Sequence, residues 1–83
     1  MKRPNKYAAA AGLAEEAGGH IMQFFSWEHL PEQLQDVSSP FCELAHHLAL
    51  RLPPNPERTV ALRKLLEAKD AAVRAEVAKG AWS

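Results

Sequence analysis

The stretch from Leu52 to Ala78, LPPNPERTVALRKLLEAKDAAVRAEVA, limits what this chain can fold into more than any other. It opens with Pro53, Pro54 and Pro56. Proline has no backbone N–H and holds φ near about −65°, so no helix runs through this stretch. It is a stiff corner. Asn55 suits the N-cap, Pro56 the first helical position, and Glu57 places a negative charge in the first turn. From Glu57 there is no glycine or proline until Gly80, and Ala, Leu, Lys, Arg and Glu dominate. That composition predicts a helix over about 57–78.

Its apolar face carries an anomaly. At about 100° per residue, Leu62, Leu65, Leu66, Ala72, Val73 and Val77 share one side. Lys69 falls in the middle of that side, with Glu76 two turns later. Arg63, Lys64, Glu67, Asp70 and Arg74 take the opposite side. A lysine centred on an apolar stripe must find a carboxylate, snorkel to water or meet an anionic ligand.

Upstream, Leu30, Leu34, Val37, Phe41, Leu44, Leu48 and Leu52 recur at spacings of four, three, four, three, four and four. This stripe predicts a first long helix over about 31–52, with its leucines turned inward. Ser38-Ser39-Pro40 interrupts the composition but not the phase. One helix bent at Pro40 is the first reading, and a second helix capped by Ser39 is the other. Two long helices joined by the proline corner make an antiparallel αα-hairpin, so the fold class is all-α.

An 83-residue chain buries only roughly 60% of its unfolded surface. Two amphipathic helices do not cover each other's apolar stripes, so homo-oligomerisation is expected to complete the core. Residues 1–20 form a separate N-terminal arm. A short alanine-rich helix is expected from Tyr7 to Ala17, capped at Asn5 and ended by Gly18-Gly19; with only Tyr7 and Leu13 to bury, it is expected to be frayed or ordered only against a neighbour. Residues 21–83 form the hairpin domain. Its lead-in, HIMQFFSWEHLP from His20 to Pro31, holds Phe24, Phe25 and Trp27 and reads as extended. The rings either plug the open end of the hairpin or present a face, Trp27 first, for a planar ligand.

Charge and motifs exclude several classes. Ten basic and ten acidic side chains cancel, so no global field captures nucleic acid or acidic membrane. Basic residues of the second helix alternate with acidic ones, as on a solvated face. A single cysteine, Cys42, suits a reducing cytoplasm. No apolar run reaches the roughly 20 residues of a membrane span. No metal-ligand spacing, phosphate loop or nucleophile elbow is present, so neither an enzyme nor a cofactor or metal is expected. What remains is a set of rings beside cations. Arg58, Thr59, Arg63, Lys64, Lys69 and Arg74 lie on the turn and second helix. Such a set suits a small nucleotide-like anion.

FSWEHLP, a helix, and then the ER, leucine-pair, EA and small-residue pattern from Glu57 to Arg74 resemble a family of small phage proteins. It is the helical-hairpin sponge family shared by anti-CBASS protein two and Thoeris anti-defence protein one. The resemblance spans Phe24 to Ala75. It implies dimers, trimers or hexamers of hairpins with ligand pockets between chains, here a hexamer or a trimer of dimers, in the bacterial host cytoplasm. It implies binding of a cyclic oligonucleotide or cyclic ADP-ribose messenger without cleavage. In the family an aromatic residue just before the first helix stacks on a base. Trp27 takes that place here, with Phe25 as the second choice. The family's basic residue in the first helix is missing, since the chain reads Phe41-Cys42-Glu43 there. Phosphate contacts then fall to Arg63 and Lys69, with Arg58 and Thr59 as further donors and His29 and Arg74 as lesser candidates. A helical-hairpin interaction or scaffolding module without a small ligand is the alternative.

Overall fold

The computed structural model describes residues 11–79, without the side chains of Ala11, Gly12 and Glu15. The Asn5 cap, Tyr7 and the Gly80 stop lie outside the described residues. Three α-helices and one short 3₁₀ segment follow in order. They are α1 (Ala11–Gly18), the 3₁₀ segment (His20–Phe24), α2 (Glu32–Arg51) and α3 (Pro56–Val77). No strand occurs among the described residues.

α3 starts as the local chemistry demands. Asn55 is extended (φ −149°, ψ 169°), and its side-chain oxygen accepts the Arg58 backbone N–H at 2.9 Å. Pro56 fills the first turn, where its missing N–H has no intrahelical partner to lose. α2 runs unbroken through Pro40, so the one-helix reading holds. α2 and α3 form an antiparallel hairpin. Arg58 at the start of α3 bonds the end of α2, and at the open end Gln33 and Leu34 share a groove with Glu76, Val77 and Lys79.

The core face of α2 differs from the leucine stripe. Its buried residues are Gln35, Ser38, Ser39, Cys42, Ala45, His46 and Ala49. Leu34, Val37, Phe41 and Leu48 are only half-buried, and Leu44 is exposed. The reason is packing on more than one side. α2 contacts α1 as well as α3. Helices approach closely over small side chains, so the small face becomes the centre and the leucines become its flank. Large partners fill the space above it. Met22, Phe25, Trp27 and Leu62 join Ala14, Cys42, Ala45 and Ala49 in one cluster. Val77, expected inward on α3, is 69% exposed at the hairpin's open end. Among the described residues the buried Ser39 hydroxyl finds no hydrogen-bond partner.

α1 also packs differently from expectation. Leu13 is exposed and Ala14 is buried. At its end, a Cβ on Gly18 would lie 2.6 Å from Met22 Cγ and 3.0 Å from Ala49 Cβ. Gly18 thus lets the arm lie directly on α2. Gly19 takes φ 84°, ψ −164°, a region essentially restricted to glycine. The lead-in is not wholly extended, because His20–Phe24 forms the 3₁₀ turn.

One side chain joins all three helices. The Arg58 guanidinium donates to the carbonyls of Ala49 (3.3 Å) and Leu52 (3.1 Å) at the end of α2. It also donates to the Ala17 carbonyl in the last turn of α1. Helix C-termini carry unpaired carbonyls and partial negative charge, and a guanidinium satisfies both. Arg58→Met keeps the stem and removes these bonds. It is expected to cost about 2 kcal/mol in urea denaturation, with early loss of amide protection in residues 13–18.

Candidate functional site

The aromatic lead-in is held by the first turn of α2. Trp27 C=O accepts the Leu30 N–H at 3.1 Å, closing a turn over Glu28 and His29. The buried Gln35 amide donates to the carbonyls of Glu28 (3.2 Å) and Leu30 (2.9 Å). Pinned in this way, residues 24–27 face alternately out and in. Phe25 and Trp27 turn into the core and Phe24 and Ser26 turn out, while Glu28 and His29, in the turn before α2, are both exposed.

This arrangement corrects the assignment of the stacking ring. Trp27 is 1% exposed and Phe25 2%, so neither offers a ring face in this conformation. Both rings are the large fillers required by the small face of α2. Phe24 is the ring that is left, 51% exposed and edge-on to His20 with centroids 6.3 Å apart. Alternation along an extended segment was the available sequence signal. It could not tell which of the two phases faces inward.

A recess of about 430 Å³ lies between this lead-in and the second half of α3. The lead-in contributes Gln23, Phe24, Ser26, His29 and Leu30. α3 contributes Lys69, Asp70, Val73 and Arg74. The volume lies within the range of about 300–1,000 Å³ usual for small-molecule sites. Three of the expected residues therefore meet here: His29, Lys69 and Arg74.

Lys69 shows how the anomaly of the apolar stripe is resolved. Its side chain is 12% exposed, so the stem is buried and the ammonium emerges at the recess. Its nearest carboxylate is Asp70 Oδ1 at 3.7 Å, on the adjacent residue. Neighbouring residues on a helix do not face each other, and at this distance the pair is loose. The Lys69 charge also reaches back to Cys42. Burial pushes the Cys42 thiol above its ordinary value. The Ser38 hydroxyl at 3.8 Å and the Lys69 charge pull it down, and the Glu43 charge adds to the rise.

The other expected residues lie elsewhere. Arg58 is engaged by three carbonyls and is a structural clamp rather than a free donor. Thr59 and Arg63 line a separate shallow recess with Pro56, Val60 and Lys64 on the outer side of α3. His46 is buried, with Nδ1–H donating to the Cys42 carbonyl at 2.7 Å. Among the described residues no cluster of His, Cys, Asp and Glu is arranged to hold a metal. No described helix is long and apolar enough to cross a membrane.

No protein-family model, curated protein or solved structure matches the chain. The recess is thus characterised by its own chemistry: one ring face, two permanent cations, one imidazole, a neutral amide and a single carboxylate.

Two expectations follow. Trp27→Ala empties the core and is expected to cost about 3–5 kcal/mol, read as a collapse of the thermal transition rather than as a selective loss of binding. The Cys42 thiol, with its folded pKa raised, stays protonated through neutral pH. At about pH 8 its alkylation is expected to be far slower in the folded chain than in denaturant. The sign for stability follows. The folded state holds this proton more tightly, so stability is full below the ordinary thiol pKa and is lost as pH rises through the folded one.

Proposed function

We propose that the chain is a non-enzymatic sponge for a cyclic nucleotide messenger, a cyclic di- or trinucleotide or a cyclic ADP-ribose isomer. A base stacks on Phe24, Lys69 and Arg74 neutralise phosphate, and Gln23 and His29 supply hydrogen bonds to the base or sugar. The observation that carries this reading is the recess itself. It pairs a half-exposed ring with two cations whose carboxylate partner among the described residues is loose or absent. Stacking on an aromatic face contributes about 1–3 kcal/mol per base and tolerates different bases. Cations beside it add charge-assisted hydrogen bonds to phosphate oxygens.

Asp70 opposes an anion, so binding requires the Lys69 ammonium to turn from Asp70 toward phosphate. Capture without cleavage is proposed on the resemblance to the phage sponges. The resemblance to the phage sponges carries the further parts of the reading. These are an anti-defence role in the host cytoplasm and assembly of several hairpins, a hexamer or trimer of dimers. Thr59 and Arg63 then belong to a surface other than this recess.

A second reading is favoured by a separate observation. Leu44, Leu50, Val60 and Val77 are large apolar side chains left exposed on the hairpin. They suit a protein-docking module without a small ligand.

A thermal-shift screen with cyclic dinucleotides, cyclic trinucleotides and cyclic ADP-ribose isomers separates the two. A bound messenger at 100 times its Kd is expected to add about 2.7 kcal/mol of stability. Phe24→Ala and Lys69→Gln are each expected to weaken that binding by roughly tenfold or more while leaving the unliganded melt close to the parent's. A flat response of the parent to the whole panel rejects the sponge and leaves the docking module.

A further inference from the structure

The outward face of α3 has an order that the fold does not use and that the recess shares only at Asp70 and Arg74. Its exposed charges are Glu57, Arg63, Lys64, Glu67, Asp70 and Arg74. Their signs run minus, plus, plus, minus, minus, plus. Read from the opposite end with every sign exchanged, the order is the same. A helix face with this property is complementary to a copy of itself laid antiparallel. Within the chain these charges are poorly satisfied. Lys64 and Glu67 are 3.9 Å apart and largely exposed. Among the described residues Glu57, Arg63 and Arg74 have no ion-pair partner in their own chain.

The spacing supports the same pairing. Glu57, Val60, Lys64, Glu67, Ala71 and Arg74 recur at three, four, three, four and three residues, the seam spacing of a coiled coil. We infer that two copies of this chain pair through α3, antiparallel, about a two-fold axis level with Leu65 and Leu66. In that register Lys64 meets Glu67 of the second copy, Glu57 meets its Arg74, and Val60 meets its Ala71. Arg63 and its counterpart's Asp70 face each other along the flank. The symmetry repeats every pair.

Shape agrees with charge. The shallow recess of about 680 Å³ at the first half of α3 is lined by Pro56, Thr59, Val60, Arg63 and Lys64. Opposite it falls the second half of the other α3, where Ala68, Ala71 and Ala75 leave the surface low enough for close approach. Val60, 48% exposed, and Val77, opposite the other copy's proline corner, are then covered. An isologous pair of this kind closes on itself. The inference does not depend on the ligand reading. Asp70 and Arg74 border both surfaces and are left unchanged in the test.

The test uses the full chain by sedimentation equilibrium at low ionic strength, with Lys64→Glu and the exchanged variant Lys64→Glu/Glu67→Lys. The parent is expected to dimerise, more weakly as salt rises. Lys64→Glu turns two attractions into two repulsions and is expected to raise the dimer Kd roughly tenfold or more. The exchanged variant restores the complementary order and is expected to dimerise with itself. Against tagged parent it is expected to form no mixed dimer, because like charges then meet. Both positions are exposed, so the melts of the three monomers at high dilution are expected to coincide. A parent that stays monomeric overturns the inference. So does an assembly indifferent to Lys64→Glu, or an exchanged variant that mixes freely with the parent.

Discussion

The Arg58 guanidinium is the interaction on which the architecture turns. It stands at the start of α3 and bonds carbonyls at the ends of both other helices. The hairpin corner and the distant arm therefore share one cation. Its backbone N–H is itself fixed by the Asn55 cap, so the clamp is rigid at its root. A small chain has little apolar surface to spare for holding an N-terminal arm. Charge-assisted bonds to helix ends are individually stronger than neutral ones, and here they act where the helix dipoles already favour a cation.

Around that clamp the core is built on contrast of size. α2 presents serines, alanines and one cysteine, and its neighbours present Trp27, Phe25, Met22 and Leu62. The close approach at Gly18 is the tightest example. This arrangement has a consequence for function. The leucines that a simple hairpin would bury are pushed to the flank, and α3 buries fully only Leu62. Apolar and charged surface is left over for other molecules.

The charges of α3 divide into three groups by what surrounds them. Arg58 is consumed by the fold. Lys69 and Arg74 border the recess beside Phe24. Glu57, Arg63, Lys64 and Glu67 face away from it. A ligand site and a self-association surface can thus coexist on one helix, meeting at Asp70 and Arg74. The Asp70 carboxylate near Lys69 offsets one of the two permanent cations, which leaves the empty recess with a net positive charge.

Local chemistry alone determined the two long helices and their corner. Proline geometry, the Asn55 cap and helix-forming composition act over a few residues, and they need no partner to take effect. The anomaly of Lys69 and the sidedness of Arg63 and Lys64 were legible for the same reason, since helical phase is local. Tertiary structure decided which face of α2 is the core, because that depends on a third element, the arm, seating over small side chains. It decided that Trp27 and Phe25 are fillers and Phe24 the open ring, because alternation shows two faces without saying which one another helix will cover. It also decided the fate of Arg58. A guanidinium near a helix N-terminus reads as a ligand donor until the carbonyls of two other helices arrive within its reach.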